Sequence, residues 1–552
     1  MKVALAQLNF IVGDFAGNTQ KIIDAINRAK ANGSSLVVFS ELAVCGYPPL
    51  DLLEHKYFID SAIEGINAIA RSCTNIAAIF GAPVVNPDAN GKNLYNAAIF
   101  CAEGGVQKIV HKALLPTYDV FDEYRHFEPS KEFGIIEYKG YRIAVAICED
   151  LWFEQPLHEG FGKEKLYSVN PMDELARLRP DVVVNIAASP FAYNHDNIKR
   201  EILANTARKY QLPIIYLNQV GGQTEIIFDG GSRIVNSKGA ITKRLAFFNE
   251  DFETVDLNEV LQSEINETLF PVPDRIEKIH NAIVLGIKDY FLKLNFKSAI
   301  LGLSGGIDSA VTLVLAVRAL GAENVRVLLL PSKYSSEHSV VDAVKLAENL
   351  GVRYDNISIQ TIFDRFESSL SGVFSGRNSD VTEENIQARI RGVLLMAVSN
   401  KFGNILLNTS NKSEAAVGYG TLYGDMAGGI SVLGDVYKTD VYRLAQFINT
   451  ENEIIPQNTI LKPPSAELRP DQKDSDSLPG YDLLDEILFN YIELRKSVSE
   501  IIGLGFPPEI VTKVIRLVNI NEYKRYQSPP VLRVSSKAFG PGRRMPLVAK
   551  YI

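Results

Sequence analysis

Three reactive side chains follow predicted strands in the first half of this 552-residue sequence: Glu41, Lys112 and Cys148. A cysteine attacks a carbonyl carbon as its thiolate, and a glutamate can take the thiol proton when desolvation raises the carboxyl pKa. A nearby lysine ammonium would favour the thiolate and stabilise the oxyanion that forms on the substrate. If the fold brings the three together, they predict covalent catalysis at a carbonyl group.

Each of these residues alone has a more ordinary explanation. A cysteine at the end of a strand is more often a small buried hydrophobe than a nucleophile, and a single glutamate or lysine is more often solvated. The 7 His of the sequence include no obvious partner for Cys148 in a cysteine–histidine pair. The hypothesis therefore depends on the three residues acting together.

A glycine-rich run in the second half predicts a loop that binds phosphate. It reads Gly302-Leu303-Ser304-Gly305-Gly306-Ile307-Asp308-Ser309 and lies between a predicted strand and a predicted helix. Glycines let backbone N–H groups converge on an anion, and the helix start adds its positive dipole end. No Lys-Ser/Thr pair follows, so the run is not a Walker A motif and suits the binding of pyrophosphate. An ordinary glycine-rich turn is the alternative.

Short apolar runs rich in β-branched residues alternate with helix-like stretches through residues 1–258. The predicted strands are Val3–Leu8, Leu36–Phe39, Ala77–Phe80, Ala97–Phe100, Ile143–Ile147, Val182–Ile186 and Ile214–Leu217. Helical patterns occupy Thr19–Ala31 and Lys199–Tyr210. This alternation predicts an α/β domain whose helices pack on the sheet faces.

Two prolines mark a predicted boundary between domains. Pro271 and Pro273 fall at the end of a weakly patterned stretch, residues 259–274, which we interpret as a linker. A second domain, residues 275–552, would then follow. A proline-rich, acidic stretch within it, Leu461–Tyr481, is predicted to be a surface loop that covers a site.

The second domain begins with the pattern of a parallel sheet. A predicted helix, Arg275–Leu294, precedes strand Ala299–Leu303, helix Ser309–Leu320 and strand Val325–Leu330. A strand, a helix and a second strand in this order form a βαβ unit. The pattern therefore predicts a doubly wound parallel sheet, with ligands at the carboxyl ends of its strands.

Composition excludes several classes of protein. The net charge of −8 argues against a nucleic-acid partner, which usually meets a basic face. The four cysteines contain no Cys-x-x-Cys pair, and a reducing cytoplasm fits them best. The N-terminal segment lacks the pattern of a secretory signal, and no apolar run is long enough to span a membrane.

The first reactive set resembles the nitrilase superfamily, through Phe39-Ser40-Glu41-Leu42, His111-Lys112-Ala113 and Ala146-Ile147-Cys148-Glu149-Asp150. The resemblance implies an α-β-β-α sandwich that cleaves carbon–nitrogen bonds with Glu41, Lys112 and Cys148. It further implies a supporting carboxylate at Glu123. It also implies a pocket for L-glutamine formed by Tyr47, Tyr118, Ser189 and His195, the last at a position where many relatives have Lys or Arg.

The glycine-rich run resembles the PP-loop of the N-type ATP pyrophosphatases. The resemblance implies that Gly302, Leu303, Ser304, Gly305, Gly306, Ile307, Asp308 and Ser309 bind ATP. It also implies that ATP is cleaved to AMP and pyrophosphate through an adenylated substrate. Asp308 would be a ligand of Mg²⁺, a hard cation that prefers carboxylate and phosphate oxygens.

Further runs in the second half resemble those of NAD⁺ synthetases, chiefly Leu407-Asn408-Thr409-Ser410-Asn411-Lys412-Ser413-Glu414 and Glu384-Asn385-Ile386-Gln387-Ala388-Arg389. This resemblance implies that Thr409 contacts ATP and that Glu414 contacts both Mg²⁺ and deamido-NAD⁺. It also places Asn385, Lys524 and Lys537 near the dinucleotide. Taken singly, each charged residue could equally be a solvated surface group.

The two halves together resemble the glutamine-dependent NAD⁺ synthetase family over nearly the whole chain. This implies that ammonia from glutamine amidates an adenylated deamido-NAD⁺, and that the chain forms homo-oligomers. The nearest alternative is a PP-loop amidotransferase that acts on a different carboxylate. A nitrilase with an inactive second half and a PP-loop protein that modifies tRNA are further alternatives.

Overall fold

The computed structural model describes residues 1–155, 165–267, 270–271, 273–470 and 472–550. The chain divides into two compact units, Met1–Pro273 and Asp274–Ile552. Residues 259–273, which the sequence suggested were a linker, group with the first unit. Across the described ranges, no helix has both the length and the apolar character that crossing a membrane requires.

In its described residues, the first unit contains two six-stranded sheets and a two-stranded pair. The strands are β1 Lys2–Gln7, β2 Leu36–Val38, β3 Ala77–Val85, β4 Leu94–Ala102, β5 Gly105–His111, β6 Ile135–Tyr138, β7 Tyr141–Ile147, β8 Val182–Ala187, β9 Ile214–Asn218, β10 Val220–Gln223, β11 Ile226–Asp229, β12 Arg233–Val235, β13 Ile241–Arg244 and β14 Asp251–Asp256. The helices are α1 Phe15–Ala31, α2 Lys56–Ser72, α3 Pro171–Arg177, α4 His195–Tyr210 and α5 Leu257–Leu261. The sheet orders are β14-β1-β2-β3-β4-β5 and β13-β12-β9-β8-β7-β6, and β10 pairs with β11.

The alternation of side chains along β1 explains how the layers stack. Val3 and Leu5 share one buried cluster with residues of the second sheet, such as Val145 on β7. Ala4 and Ala6 share another cluster with Ile22, Ile26, Ile66 and Ile69 of α1 and α2. Because successive side chains of a strand face opposite sides, β1 separates a helix layer from a second sheet. The predicted α-β-β-α sandwich is confirmed.

The part of the second unit that the structure describes contains one five-stranded sheet with helices around it. The strands are β15 Ala299–Gly302, β16 Val325–Leu329, β17 Arg353–Asn356, β18 Ile405–Asn408 and β19 Ile430–Ser431. The helices are α6 Arg275–Lys293, α7 Ile307–Leu320, α8 Glu337–Leu350, α9 Gln360–Leu370, α10 Val381–Phe402, α11 Lys412–Val417, α12 Lys438–Ile448, α13 Gln457–Leu461, α14 Tyr481–Ile492, α15 Val498–Gly503, α16 Pro508–Ile520 and α17 Glu522–Arg525. All strand pairs in the sheet are parallel.

The order of this sheet, β17-β16-β15-β18-β19, confirms the predicted doubly wound topology. The chain builds outward from β15 through β16 to β17, then crosses to the other side of β15 and adds β18 and β19. A crevice therefore opens between the carboxyl ends of β15 and β18, where such sheets bind ligands. The glycine-rich run follows β15 and the run that begins at Thr409 follows β18.

Gly81 of β3 leaves room for the chain that carries Glu41. A Cβ atom at Gly81 would lie 2.1 Å from the backbone nitrogen of Leu42 and 2.7 Å from the Cα atom of Glu41. Backbone atoms cannot yield as a flexible side chain can, so we expect Gly81→Ala to destabilise the first unit by about 1–3 kcal/mol. Chemical denaturation, followed by far-ultraviolet circular dichroism, measures the effect.

Gly105→Ala is the matched control, because Gly105 lies in β5 of the same sheet. A Cβ atom there would meet only the side-chain Nε2 atom of Gln107, at an ordinary 3.7 Å. We expect its denaturation midpoint to stay close to that of the unmodified protein. Equal midpoints for the two variants would show that the close approach at Gly81 has no energetic consequence.

Candidate active sites

A buried lysine between two carboxylates forms the centre of the first unit. Lys112 directly follows β5, and its Nζ atom lies 2.7 Å from Glu41 Oε1 and 2.8 Å from Glu123 Oε2. The three residues are at most 6% exposed. Two of the three residues that the sequence singled out, and the predicted second carboxylate, thus meet in one cluster.

Three neutral groups complete the hydrogen bonding of these carboxylates. The Asn96 Nδ2 atom donates to Glu41 Oε1 at 2.7 Å, and the backbone N–H of Ala188 donates to Glu41 Oε2 at 3.0 Å. The Tyr47 hydroxyl donates to Glu123 Oε1 at 2.8 Å. A buried charge is tolerated when its hydrogen-bonding capacity is met in this way, so these three donors help to stabilise the ion cluster in the interior.

The charges in this cluster determine whether the Lys112 side chain carries a proton. Burial lowers the pKa of Lys112, but the carboxylates of Glu123 and Glu41 outweigh burial and hold that pKa well above its usual value. Burial raises the pKa of Glu123, with Lys112 opposing the increase and Glu41 adding to it. The lysine is therefore a permanent cation that can stabilise an oxyanion but not accept a proton.

Cys148 lies at the turn that ends β7. It begins a short 3₁₀ segment, Cys148–Leu151, with a φ of 42° in the left-handed region, which a non-glycine residue adopts only when its surroundings hold it there. Burial raises the pKa of the thiol well above its usual value, Glu41 raises it further and Lys112 opposes both. The thiol thus lies within the electrostatic reach of both partners, and it is neutral at rest.

Glu149, a third buried carboxylate, directly follows Cys148 in the chain. Glu149 accepts hydrogen bonds from the hydroxyls of Tyr118 at 3.0 Å and Tyr167 at 2.7 Å, and from the Gln155 side chain at 3.1 Å. Burial raises the pKa of Glu149 above its usual value, and these hydrogen bonds offset part of the increase. Tyr118, predicted to line the glutamine pocket, is therefore fixed beside Cys148 through Glu149.

The two remaining predicted glutamine-binding residues lie beyond the end of β8. The backbone N–H of Ser189 donates to the Asn218 side chain at 2.8 Å, which fixes the loop, and Ser189 is buried. His195 is the first residue of α4, and its backbone N–H donates to the Ala192 carbonyl at 2.9 Å. His195 is half-buried.

A cavity of about 310 Å³ opens at the carboxyl ends of β15 and β18 in the second unit. Its lining includes Thr409, Glu414 and every member of the glycine-rich run except Gly305. Residues 462–468 of the predicted covering loop line it as well. The sequence-predicted nucleotide residues are thus brought together around one cavity.

Two carboxylates in this cavity share one lysine. Lys438 of α12 forms ion pairs with Asp308, and with Glu414 at 3.6 Å, while the Asn411 side chain donates to Asp308 at 2.9 Å. Burial raises the pKa of Glu414 to about 8, with Asp308 adding to the increase and Lys438 opposing it. Asp308 and Glu414, predicted to be metal ligands, therefore converge on a single cation.

The glycine-rich loop is shaped by its own hydroxyl groups and by Gly305. The backbone N–H of Gly306 donates to the Ser304 hydroxyl at 3.2 Å, and the Ser309 hydroxyl donates to the Gly306 carbonyl at 3.0 Å. Gly305 has a φ of +79°, and a Cβ atom there would lie 2.2 Å from the carbonyl oxygen of Ser339 in α8. Only glycine fits this position without displacing α8.

The covering loop is joined to the start of α8. Glu467 accepts hydrogen bonds from the Ser336 backbone N–H at 3.1 Å, the Ser336 hydroxyl at 2.9 Å and the Ser339 hydroxyl at 2.6 Å. The Lys462 ammonium donates to the same Ser339 hydroxyl at 2.9 Å. These contacts hold the loop against the wall of the cavity.

The other predicted dinucleotide residues are not among the described residues that line this cavity. The Asn385 side chain accepts a hydrogen bond from the Thr421 hydroxyl at 2.7 Å. Lys524 donates to the carbonyls of Gly418 and Gly420 at 2.8 and 2.9 Å. The Lys537 carbonyl accepts from the buried ammonium of Lys412 at 2.9 Å, which anchors the C-terminal segment.

Sequence reasoning did not single out several residues of these clusters. Glu149 and Asp150 directly follow Cys148, so their positions beside a predicted site residue were the available signal. Asn96 lies inside β4, where its neighbours in sequence give no indication of its role. Its hydrogen bonds to Glu41 and Glu123 exist only because of the fold.

Known proteins resemble this chain over its whole length. The family model described as carbon-nitrogen hydrolase matches residues 2–266, and the model described as NAD synthase matches residues 279–528. A glutamine-dependent NAD(+) synthetase from Synechocystis sp. is 44% identical, covering 100% of this chain and 99% of the relative. The chain belongs to the glutamine-dependent NAD(+) synthetase family.

Two further members of the glutamine-dependent NAD(+) synthetase family are also similar to this chain over nearly its whole length. The enzyme from Acinetobacter baylyi is 42% identical, covering 99% of this chain and 98% of the relative. A solved structure of the Acinetobacter baumannii enzyme, in complex with adenosine diphosphate, is 39% identical with a TM-score of 0.77, covering 99% of this chain and 98% of that one. The predicted fusion of two domains is confirmed.

A substitution at Gly305 tests the shape of the glycine-rich loop without changing its charge. Gly305→Ala places a Cβ atom against the Ser339 carbonyl, so α8 or the loop must move. Because loss of positioning in a site can cost about 100-fold in rate, we expect ammonia-supported NAD⁺ synthesis to fall by about that factor. Initial rates at saturating ATP measure the fall.

Gly403→Ala controls for backbone strain alone. Gly403 ends α10 with a φ of +70°, and a Cβ atom there would have no neighbour within 4 Å. Its substitution carries the left-handed penalty without displacing any group, so we expect synthesis to persist. Equal rates for Gly305→Ala and Gly403→Ala would contradict the steric role of Gly305.

Proposed function

We propose that this chain is a glutamine-dependent NAD⁺ synthetase, in which the first unit releases ammonia from L-glutamine and the second uses it to amidate deamido-NAD⁺. The observation that carries the proposal is the buried ion cluster of Lys112 with Glu41 and Glu123, adjoining Cys148, in a chain related over its full length to enzymes of that name. ATP, glutamine and deamido-NAD⁺ are the substrates.

In the first unit, Cys148 would attack the side-chain amide carbon of glutamine. The thiol proton passes to the Glu41 carboxylate as the sulfur–carbon bond forms, and the Lys112 ammonium stabilises the resulting oxyanion. The proton then goes to the leaving nitrogen, and ammonia departs to leave a thioester on Cys148. Water, deprotonated by Glu41, hydrolyses the thioester to glutamate and restores the thiol.

Glutamine recognition falls to the residues around the thiol. Tyr47 and Tyr118 are fixed through hydrogen bonds to Glu123 and Glu149, which supports their role as walls of the pocket. Ser189 and His195 are proposed to hold the α-amino and α-carboxylate groups. Walls held by buried hydrogen bonds pre-organise the site and reduce the entropy lost on binding.

In the second unit, the loop Gly302–Ser309 is proposed to hold the phosphates of ATP, with Thr409 beside them. The nicotinate carboxylate of deamido-NAD⁺ attacks the α-phosphorus, and pyrophosphate leaves to give the adenylate. Ammonia then attacks the activated carbonyl carbon, AMP departs and NAD⁺ is formed. The loop N–H groups and the start of α7 offset the negative charge of the phosphates.

Asp308 and Glu414 are the residues proposed to hold Mg²⁺. Their carboxylates already converge on one cation, the Lys438 ammonium, so the donor set fits a hard divalent ion beside the phosphate loop. Mg²⁺ bound there would neutralise phosphate charge. Glu414, Asn385, Lys524 and Lys537 are the residues proposed to contact the dinucleotide.

The second candidate is a PP-loop amidotransferase that acts on a different carboxylate. The full-length relatives favour the NAD⁺ synthetase. The two enzymes differ in which acid triggers release of AMP from ATP.

Self-association is also proposed, because α10 exposes Val393 and Met396 to solvent in this single chain.

Cys148→Ala tests the division of labour between the two units. Removing the nucleophile abolishes the thioester route, so we expect glutamine-supported NAD⁺ formation to fall by at least about 1,000-fold. Ammonia-supported formation should remain within about twofold, because the second unit keeps all its groups. Paired assays of NAD⁺ formation, with glutamine or ammonium as the nitrogen source, measure both rates.

Cys101→Ala is the matched control, since Cys101 is another buried cysteine of the first unit. It lies in β4 within the cluster beneath α1 and α2, so its loss should leave both nitrogen sources usable. If Cys148→Ala lost both activities while Cys101→Ala kept them, the proposed division between the units would be wrong.

Asp308→Ala tests the second unit. It removes one of the two carboxylates beside the phosphate loop, so we expect NAD⁺ synthesis to fall by at least about 100-fold with either nitrogen source. Asp364→Ala, on α9, is the control, because the Asp364 carboxylate is exposed and accepts a hydrogen bond from Gln360. Synthesis that persisted in Asp308→Ala would remove this carboxylate from the proposed mechanism.

A further inference from the structure

Asp150 is a buried carboxylate in the short segment that Cys148 begins. It is 4% exposed, and the mechanism above gives it no role. Its Oδ1 atom accepts hydrogen bonds from the backbone N–H groups of Ala113 at 3.0 Å and Leu114 at 2.9 Å. Its Oδ2 atom accepts from the backbone N–H of Ile147 at 3.0 Å. All of these donors belong to the backbone.

The positions of these donors are what distinguish Asp150. Ala113 and Leu114 directly follow Lys112, and Ile147 directly precedes Cys148. One carboxylate therefore joins the chain just after the cation to the chain just before the nucleophile. The two segments come from different sheets, since Lys112 follows β5 and Cys148 follows β7.

We propose that Asp150 is a positioning residue that fixes the separation between the Lys112 ammonium and the Cys148 thiol. Glu41 and Glu123 hold the head of Lys112, and Asp150 joins the backbone that carries it to the turn of Cys148. Hydrogen bonds to a charged acceptor are stronger than those to a neutral one, which suits a carboxylate to this position. The inference deepens the proposed glutaminase function and rests on it.

The geometry of the turn explains why such a fixed point is needed. Cys148 has a φ of 42°, which is sparsely populated, and the hydrogen bond from Ile147 to Asp150 closes the turn around it. The charged groups that act on the thiol are Glu41, Lys112, Glu149 and Glu123. Lys112 alone among them favours the thiolate, so a change in its distance alters the reactivity of the thiol.

Asp150→Asn is the direct test. An asparagine keeps one acceptor oxygen but points an NH₂ group at a backbone N–H group. The hydrogen bonding to one of the two backbone segments is therefore lost. We expect kcat for glutamine hydrolysis to fall about 10- to 100-fold, with KM for glutamine within about threefold, because alignment and not binding is changed. Ammonia-supported NAD⁺ synthesis should be unchanged.

Asp181→Asn is the matched control. Asp181 also accepts a backbone hydrogen bond from β7, from the N–H of Arg142 at 2.7 Å, but at the opposite end of the strand from Cys148. Asp181→Asn removes the same charge as Asp150→Asn and alters a hydrogen bond to the same strand, β7. We expect both activities of Asp181→Asn to match those of the unmodified protein.

The pH profile of Cys148 alkylation gives a readout that does not need glutamine. Iodoacetamide labelling, followed by mass spectrometry of the peptide that contains Cys148, reports the thiolate fraction. In Asp150→Asn the profile should shift to higher pH, because Lys112 stabilises the thiolate less well from a longer distance. A merely structural loosening would raise the labelling rate at every pH without shifting the profile.

These measurements separate the inference from the proposed function. An unmodified protein that does not hydrolyse glutamine would overturn the proposed function, whereas the alkylation profile would still test Asp150. An unchanged kcat and an unshifted profile in Asp150→Asn would overturn the positioning role. If Asp150→Asn does not fold, Asp150→Glu keeps the charged acceptor and moves it by one methylene, and the same two outcomes apply to it.

Discussion

The burial of Lys112 between two carboxylates is the interaction on which the first unit depends. Removing one partner of a buried ion pair costs about 3–5 kcal/mol, because the remaining charge is left without compensation. Glu41, Glu123 and Lys112 are therefore held together by electrostatics that the apolar interior strengthens. Asn96 and the Ala188 N–H satisfy the oxygens of Glu41 that face away from solvent. The residues proposed to be catalytic are thus also part of the core.

The second unit repeats this arrangement of charges in an open setting. Lys438 lies between Asp308 and Glu414, but the side chains of the two carboxylates are 18% and 16% exposed, against 1% and 6% for Glu41 and Glu123. They line a cavity that residues of the covering loop also line. A cluster open to ligands can exchange its cation, whereas a sealed one cannot. Under the proposed function, the sealed cluster would serve catalysis in the first unit and the more exposed cluster would serve reversible binding in the second.

Local patterns made the fold predictable, because strand periodicity and glycine spacing are set by neighbours in sequence. β7, β8 and β15 begin or end within two residues of their predicted bounds, and α7 begins at Ile307, two residues before the predicted start, because Gly306 already caps it. The contacts of Asn96 and Lys438 were not predictable, since they join segments far apart in sequence. A residue such as Gly81 matters only through what approaches it in the folded chain.

The balance of charge around Cys148 also accounts for how its reactivity is controlled. Burial raises the pKa of the Cys148 thiol, the carboxylates of Glu41, Glu149 and Glu123 raise it further, and Lys112 opposes them. A neutral thiol reacts more slowly than a thiolate with alkylating agents and oxidants. In the proposed mechanism, Cys148 would react only when a substrate carbonyl can take the developing charge beside Lys112. In the proposed mechanism, burial and the excess of carboxylates would therefore keep Cys148 unreactive until its substrate binds.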